Sequence, residues 1–114
     1  MVVSRSAEQL ASSAGLLSAV ADPIRLQLME RLAVTKACVC ELQAEVPIAA
    51  NLLSYHLKVL REAGLIEGTK RGRWIDYELT PGALDRLRDA LPGAALPERP
   101  LVVLSLNGSV ADIP

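Results

Sequence analysis

The chain has no phenylalanine, one tryptophan, two tyrosines and a single histidine in 114 residues. Without Phe, a core has to be built from Leu, Val, Ile and Ala. With His56 alone, a histidine-based metal centre cannot form within one chain. No apolar run reaches the roughly 18–20 residues needed to cross a bilayer. The start, Met1-Val2-Val3-Ser4-Arg5-Ser6, lacks the basic residues and long apolar stretch of a signal peptide. A cytoplasmic protein with no membrane partner is expected. There is no glycine-rich phosphate loop. Ser54 and His56 stand at i and i+2 of one helix and so diverge. No enzyme is expected.

Apolar residues make up 51% of the chain, too many for disorder throughout, and the length suits one small domain. The formal net charge is only −1, which speaks weakly against nucleic acid. Its distribution is uneven. Between Lys58 and Arg73, Lys58, Arg61, Lys70, Arg71 and Arg73 face only Glu62 and Glu67. A local basic patch of this kind supplies phosphate contacts even where the remainder is acidic.

Cysteine is nearly absent. Cys38 and Cys40, in Lys36-Ala37-Cys38-Val39-Cys40-Glu41-Leu42, are the only two. In a reducing compartment such a pair is more readily a metal or redox site than a structural disulfide. Soft thiolates select thiophilic ions over magnesium or calcium. The plain alternative is two small apolar residues packing a helix.

Helical spacing of Leu10, Ala14, Leu17 and Val20 predicts a first helix over 6–20. Asp22-Pro23 is a helix start, with Asp as N-cap and Pro at the first helical position. Ile24, Leu28 and Leu32 extend a second helix over 23–33. A third, short helix is predicted at 38–45 with both cysteines in its first turn. Val46-Pro47 breaks the chain. A fourth helix over 48–62 carries Leu53, Leu57 and Leu60 inward, and Gly64 occupies a left-handed C-terminal cap. Strands are predicted at 65–69 and 74–79, joined by a turn, Lys70-Arg71-Gly72-Arg73. Trp74 and Tyr77 are expected to pack the hairpin on the fourth helix. A last helix over 81–91 has Leu84, Leu87 and Leu91 on one face. The domain is taken as 1–91. The Pro/Gly-rich tail 92–114 contains an apolar run, 101–106, read either as a strand or as a segment that packs on a partner.

The expected fold is mainly α with a small β-hairpin, a winged helix-turn-helix. In that arrangement the second helix of the turn enters the major groove by its N-terminal residues. Its outward face presents Ala49, Ala50, Asn51, Ser54 and Tyr55. Asn51 and Ser54 can hydrogen-bond base edges, and the two alanines permit close approach. His56 and Lys58 are assigned to phosphates. Lys70, Arg71 and Arg73 suit phosphate or minor-groove contact. Arg25 is either structural or a phosphate ligand.

The segments 21–29, 38–42, 53–66 and 71–79 together resemble the ArsR/SmtB family of bacterial metal-sensing repressors, over about residues 15–90 and in the family's order. The resemblance implies a homodimer joined through the first and last helices. It also implies binding to double-stranded operator DNA and release by a ligand. Cys-Val-Cys-Glu-Leu (38–42) looks like the metal box of arsenite/antimonite sensors and some cadmium/lead sensors, which makes Cys38 and Cys40 the ligands. The chain departs from that pattern: Gln43 or Ala44 stands where a third Cys is usual, and the N-terminal arm has none. The last helix has Asp85 and Asp89 but no His.

Two sulfurs suit trivalent arsenic or antimony completed by hydroxide or an external thiol, or a monosubstituted organoarsenical. Cadmium, lead or zinc would need further donors, such as Glu41 or the other subunit. A thiol-redox-responsive repressor on the same fold is the other alternative. On a regular helix, residues i and i+2 point about 200° apart. Chelation is therefore expected to unwind the first turn of the third helix, and an intramolecular disulfide is expected to close poorly. The helix N-terminus, with Lys36 nearby, should favour the thiolate form.

Overall fold

The computed structural model describes residues 4–94. The chain runs α1 (Ala7–Val20), α2 (Pro23–Val34), β1 (Ala37–Cys38), α3 (Val39–Glu45), α4 (Ala50–Glu62), β2 (Ile66–Arg71), β3 (Trp74–Leu79) and α5 (Ala83–Ala90). The apolar run 101–106 and most of the tail lie outside the described residues.

Each helix is started or stopped by identifiable chemistry. Ser6 and Gln9 form a reciprocal capping box on α1, Gln9 N–H donating to Ser6 Oγ at 3.1 Å and Ser6 N–H to Gln9 Oε1 at 2.7 Å. Asp22 caps α2, its Oδ1 accepting from the backbone of Ile24 (2.8 Å) and Arg25 (3.1 Å), with Pro23 behind it. α4 ends in a Schellman motif. Gly64 has φ 77°, its N–H donates to Arg61 O, and Leu65 N–H donates to Leu60 O. The Gly64 carbonyl then accepts from Thr80 Oγ1 at 2.7 Å and from the Arg86 guanidinium, which fastens α5 to the end of α4.

The inward stripe of α4, Leu53, Leu57 and Leu60, is fully buried against Leu28 of α2, Leu42 of α3, Val46, Leu65 and Ile66. Arg25 ties three helices together. Its Nε donates to the Ala19 carbonyl at 2.6 Å, near the end of α1, and its Nη1 lies 3.1 Å from His56 Nδ1 on α4. Arg25 is thus structural.

The sheet is antiparallel in the order β1-β3-β2. β2 and β3 are joined by Gly72-Arg73 alone, with φ positive only at Gly72, the pattern of a type II′ turn. β2 therefore runs two residues further than predicted, and Lys70 and Arg71 are strand residues. Gly68 lies opposite Tyr77, where a Cβ would come within 3.0 Å of the Tyr77 ring and of Ile75, so the ring packs only over a glycine.

Three expectations change. β1 was not foreseen, because two residues carry no periodicity. α3 begins one residue later than predicted, leaving Cys38 as its N-cap instead of inside its first turn. Tyr77 is buried as expected, but Trp74 stays 44% exposed near the hairpin tip. The Leu10 stripe of α1 and the Leu84–Leu91 face of α5 pack against each other's helices only in part, leaving Leu10, Leu84 and Leu91 exposed.

The backbone N–H of Arg25 above all, against a smaller opposing effect of desolvation, holds the Asp22 carboxyl below its ordinary range. A lowered carboxylate pKa contributes stability that is complete above the unfolded value and is lost as pH falls through the folded one. Asp22→Ala should therefore lower the urea midpoint at neutral pH. The gap from wild type should stay constant down to about pH 4 and narrow below it.

Candidate nucleic-acid interface and thiol pair

The exposed face of α4 carries Asn51, Ser54, Tyr55 and Lys58, at helical spacings of three and four. Ala49 and Ala50 are exposed at its N-terminus, where Ala49 as N-cap supplies no side-chain acceptor. Leu52 N–H already donates to the Ala49 carbonyl at 3.0 Å, so the N–H groups of Ala50 and Asn51 are the ones left for an external acceptor. Leu52, 43% exposed, flanks this face and was not among the residues expected there. Gln43 Nε2 donates to the Ile48 carbonyl at 2.6 Å and closes the turn between α3 and α4.

His56 does not share that face. It is 6% exposed and points inward to Arg25, with Nδ1 also 4.0 Å from Asp22 Oδ1. A phosphate cannot reach it in this arrangement, so its assignment to phosphate contact is corrected. The cause is register: His56 is one residue from Leu57 and three from Leu53, on the buried side of α4.

In the hairpin, Lys70, Arg71 and Arg73 are all exposed. Arg71 forms a two-point ion pair with Asp76, Nε to Oδ2 at 2.7 Å and Nη2 to Oδ1 at 3.1 Å. The side-chain hydrogen bond from Arg71, followed by its charge and that of Lys36, holds Asp76 below the ordinary carboxylate range. The same bond raises Arg71. Among the described residues Lys70 and Arg73 form no ion pair, so two of the three wing cations are uncommitted.

Cys38 and Cys40 lie at the junction of β1 and α3. Their Cα atoms are 5.3 Å apart and their sulfurs are joined in a disulfide. This corrects the expectation that the pair closes poorly. The expectation assumed that both residues are helical. Cys38 instead has extended angles, φ −78° and ψ 160°, which turn its Cβ toward Cys40. No unwinding of α3 is needed to bring the sulfurs together. Cys38 also caps α3: its Sγ accepts from Glu41 N–H at 3.3 Å while its own N–H donates to Glu41 Oε1 at 2.9 Å. Cys38 is buried and Cys40 exposed. Among the described residues, no three His, Cys, Asp or Glu side chains gather as a metal site. The donor set is thus two sulfurs at one point, which fits a two-thiol ligand and not a tetrahedral ion held within one chain.

A helix-turn-helix of α3 and α4 followed by a basic-tipped hairpin defines a winged-helix protein of the bacterial regulator type. Residues 22–68 match the family described as bacterial regulatory protein, arsR family. The chain is 38% identical over 74 residues to a transcriptional repressor SmtB homolog of Synechocystis sp., covering 65% of this chain and 56% of that protein. It is 42% identical over 62 residues to the arsenical resistance operon repressor of Bacillus subtilis, covering 54% and 59%. A crystal structure of a possible transcriptional regulator for arsenical resistance superposes with a TM-score of 0.60 at 38% identity, covering 64% of this chain and 76% of that one. The chain belongs to the ArsR/SmtB family, whose members are transcriptional regulators and not enzymes. It spans a little over half the length of these two curated relatives.

His56→Ala leaves the partly buried Arg25 guanidinium without one of its partners. It should lower the unfolding free energy by about 1–3 kcal/mol in a urea titration. Unchanged stability would mean that His56 is a surface residue after all.

Proposed function

We propose that this protein is a cytoplasmic, homodimeric repressor that binds double-stranded operator DNA through α4 and the β2–β3 wing, and that a thiophilic trivalent metalloid at Cys38 and Cys40 releases it. The observation that carries this reading is the meeting of the two sulfurs at the point where β1 becomes α3, one turn-connection before the reading helix. Base contacts fall to Asn51 and Ser54, close approach to Ala49 and Ala50, and backbone contacts to Tyr55, Lys58, Lys70, Arg71 and Arg73. The exposed Leu10, Leu84 and Leu91 on α1 and α5 support a dimer built from those helices.

Arsenic or antimony is favoured over cadmium, lead or zinc because the chain brings two thiols together and, among the described residues, no third donor gathers with them. Reduction must first open the disulfide. Two thiols then displace two hydroxides from arsenous acid, giving two As–S bonds and two waters, with the third hydroxide retained. A monomethylated arsenous acid has only two hydroxides to lose and is matched completely by the pair. A relative named as an arsenical resistance operon repressor agrees with this chemistry. Binding needs differential affinity for the two conformations to release DNA, and couplings of this kind are typically about 1–3 kcal/mol.

The disulfide favours a second reading, in which an oxidant takes two electrons and two protons from the pair and no metalloid is involved. Operator binding by fluorescence anisotropy separates the two. The reduced protein is titrated with arsenite, methylarsenite, antimonite and cadmium under a phosphine reductant, and separately with a thiol oxidant. Cys38→Ser is a suitable control because serine keeps the N-cap acceptor on α3. Release by a trivalent metalloid, lost in Cys38→Ser and Cys40→Ser, is the expected result. Release by the oxidant alone would establish the redox reading. DNA binding that neither reagent relieves would make both cysteines structural.

A further inference from the structure

The thiol pair has a second physical connection, one that does not pass through α3. Cys38 lies directly opposite Asp76 in the β1–β3 ladder, and Asp76 lies opposite Thr69 in the β3–β2 ladder. Residues directly opposite in antiparallel strands project on the same face with Cβ atoms about 4.5–5.5 Å apart. Cys38, Asp76 and Thr69 therefore form one cross-strand row. From the middle of that row Asp76 reaches diagonally to Arg71, the last residue of β2 before the Gly72-Arg73 turn.

The two ends of this ion pair are unequally exposed, Asp76 at 16% and Arg71 at 61% of the side chain. The carboxylate is thus the fixed member and the guanidinium the free one. Asp76 engages Nε and Nη2 of Arg71, leaving the N–H groups on Nη1 to donate outward. A two-point carboxylate fork fixes the plane of a guanidinium as well as its position. Glu41, which caps the Cys38 end of the row, also adds a favourable charge at Arg71.

We propose that Asp76 is a positioning residue that couples the state of the Cys38–Cys40 pair to the wing, by holding Arg71 in an orientation set by the strand that carries Cys38. A ligand or bond at Cys38 displaces β1, the ladder carries the displacement to Asp76, and the fork re-aims Arg71 against the DNA backbone. The allosteric route so defined runs through the sheet, beside the route from α3 to α4. It rests on the proposed use of the thiol pair as the sensor.

Two measurements test it. In the first, the Arg71 Nε–Hε resonance of the full chain is followed by NMR in the dithiol, disulfide and methylarsenite-treated forms. The resonance should move between the dithiol form and at least one other form in wild type and in Asp76→Glu, and should not move in Asp76→Asn. A resonance that ignores the state of the thiols in wild type overturns the proposal, whatever the natural inducer is.

In the second, the ratio of operator affinities before and after methylarsenite is measured. A wild-type ratio of about tenfold or more should fall by about threefold or more in Asp76→Asn, recover in Asp76→Glu, and fall no further in Asp76→Asn combined with Arg71→Gln. Methylarsenite uptake per subunit should stay unchanged. An unaltered ratio in Asp76→Asn overturns the coupling while leaving the metalloid reading in place. Failure of methylarsenite to release the wild type sinks the metalloid reading instead, and the dithiol–disulfide comparison then decides the inference.

Discussion

Most of what this chain can do depends on the extended backbone of Cys38. One residue ends β1, caps α3 and brings its sulfur to Cys40. Had Cys38 been helical, the two sulfurs would point apart and each would be a lone thiol. Because it is not, the pair stands at once on a strand and a helix terminus, and the coupling proposed through Asp76 would extend its reach to the wing. A small perturbation there has no direction in which it can be absorbed locally, since Cys38 and its neighbour Ala37 are both buried.

The reading helix is held with comparable redundancy. Its inward leucines pack on α2 and α3. The Gly64 carbonyl just past its C-terminus is gripped by Thr80 and Arg86, and its middle is fixed by His56 against the Arg25–Asp22 corner. The corner also receives the end of α1, so the expected dimer helix and the reading helix share one guanidinium. Rigid support behind α4 leaves the exposed wing as the place where conformational change is cheapest.

Much of this was legible in the residues because strong local signals agree with one another. Asp22-Pro23, the Leu53-Leu57-Leu60 stripe and Gly64 each specify a start, a face and a stop, and each stands where it was read. What was missed had no local signal. A two-residue strand has no period, so β1, and with it the true geometry of the cysteines, depends on long-range pairing with Tyr77 and Asp76. His56 was read from its chemistry instead of its register; the register buries it, and only its partner Arg25, 31 residues away in sequence, had no local signal. Trp74 was expected to pack the hairpin on α4, although its strand position opposite Arg71 puts it near the exposed end of the wing.

That position makes Trp74, the only tryptophan in the chain, a built-in reporter of the wing. The most direct measurement is its fluorescence emission in the reduced protein, titrated with methylarsenite in the absence of DNA, with Cys40→Ser alongside. If the thiol pair governs the wing, the emission changes and saturates at one equivalent per subunit in wild type and is unresponsive in the variant. Saturated thiols with unaltered Trp74 emission would contradict the account, since the pair could then bind its ligand without the wing being affected.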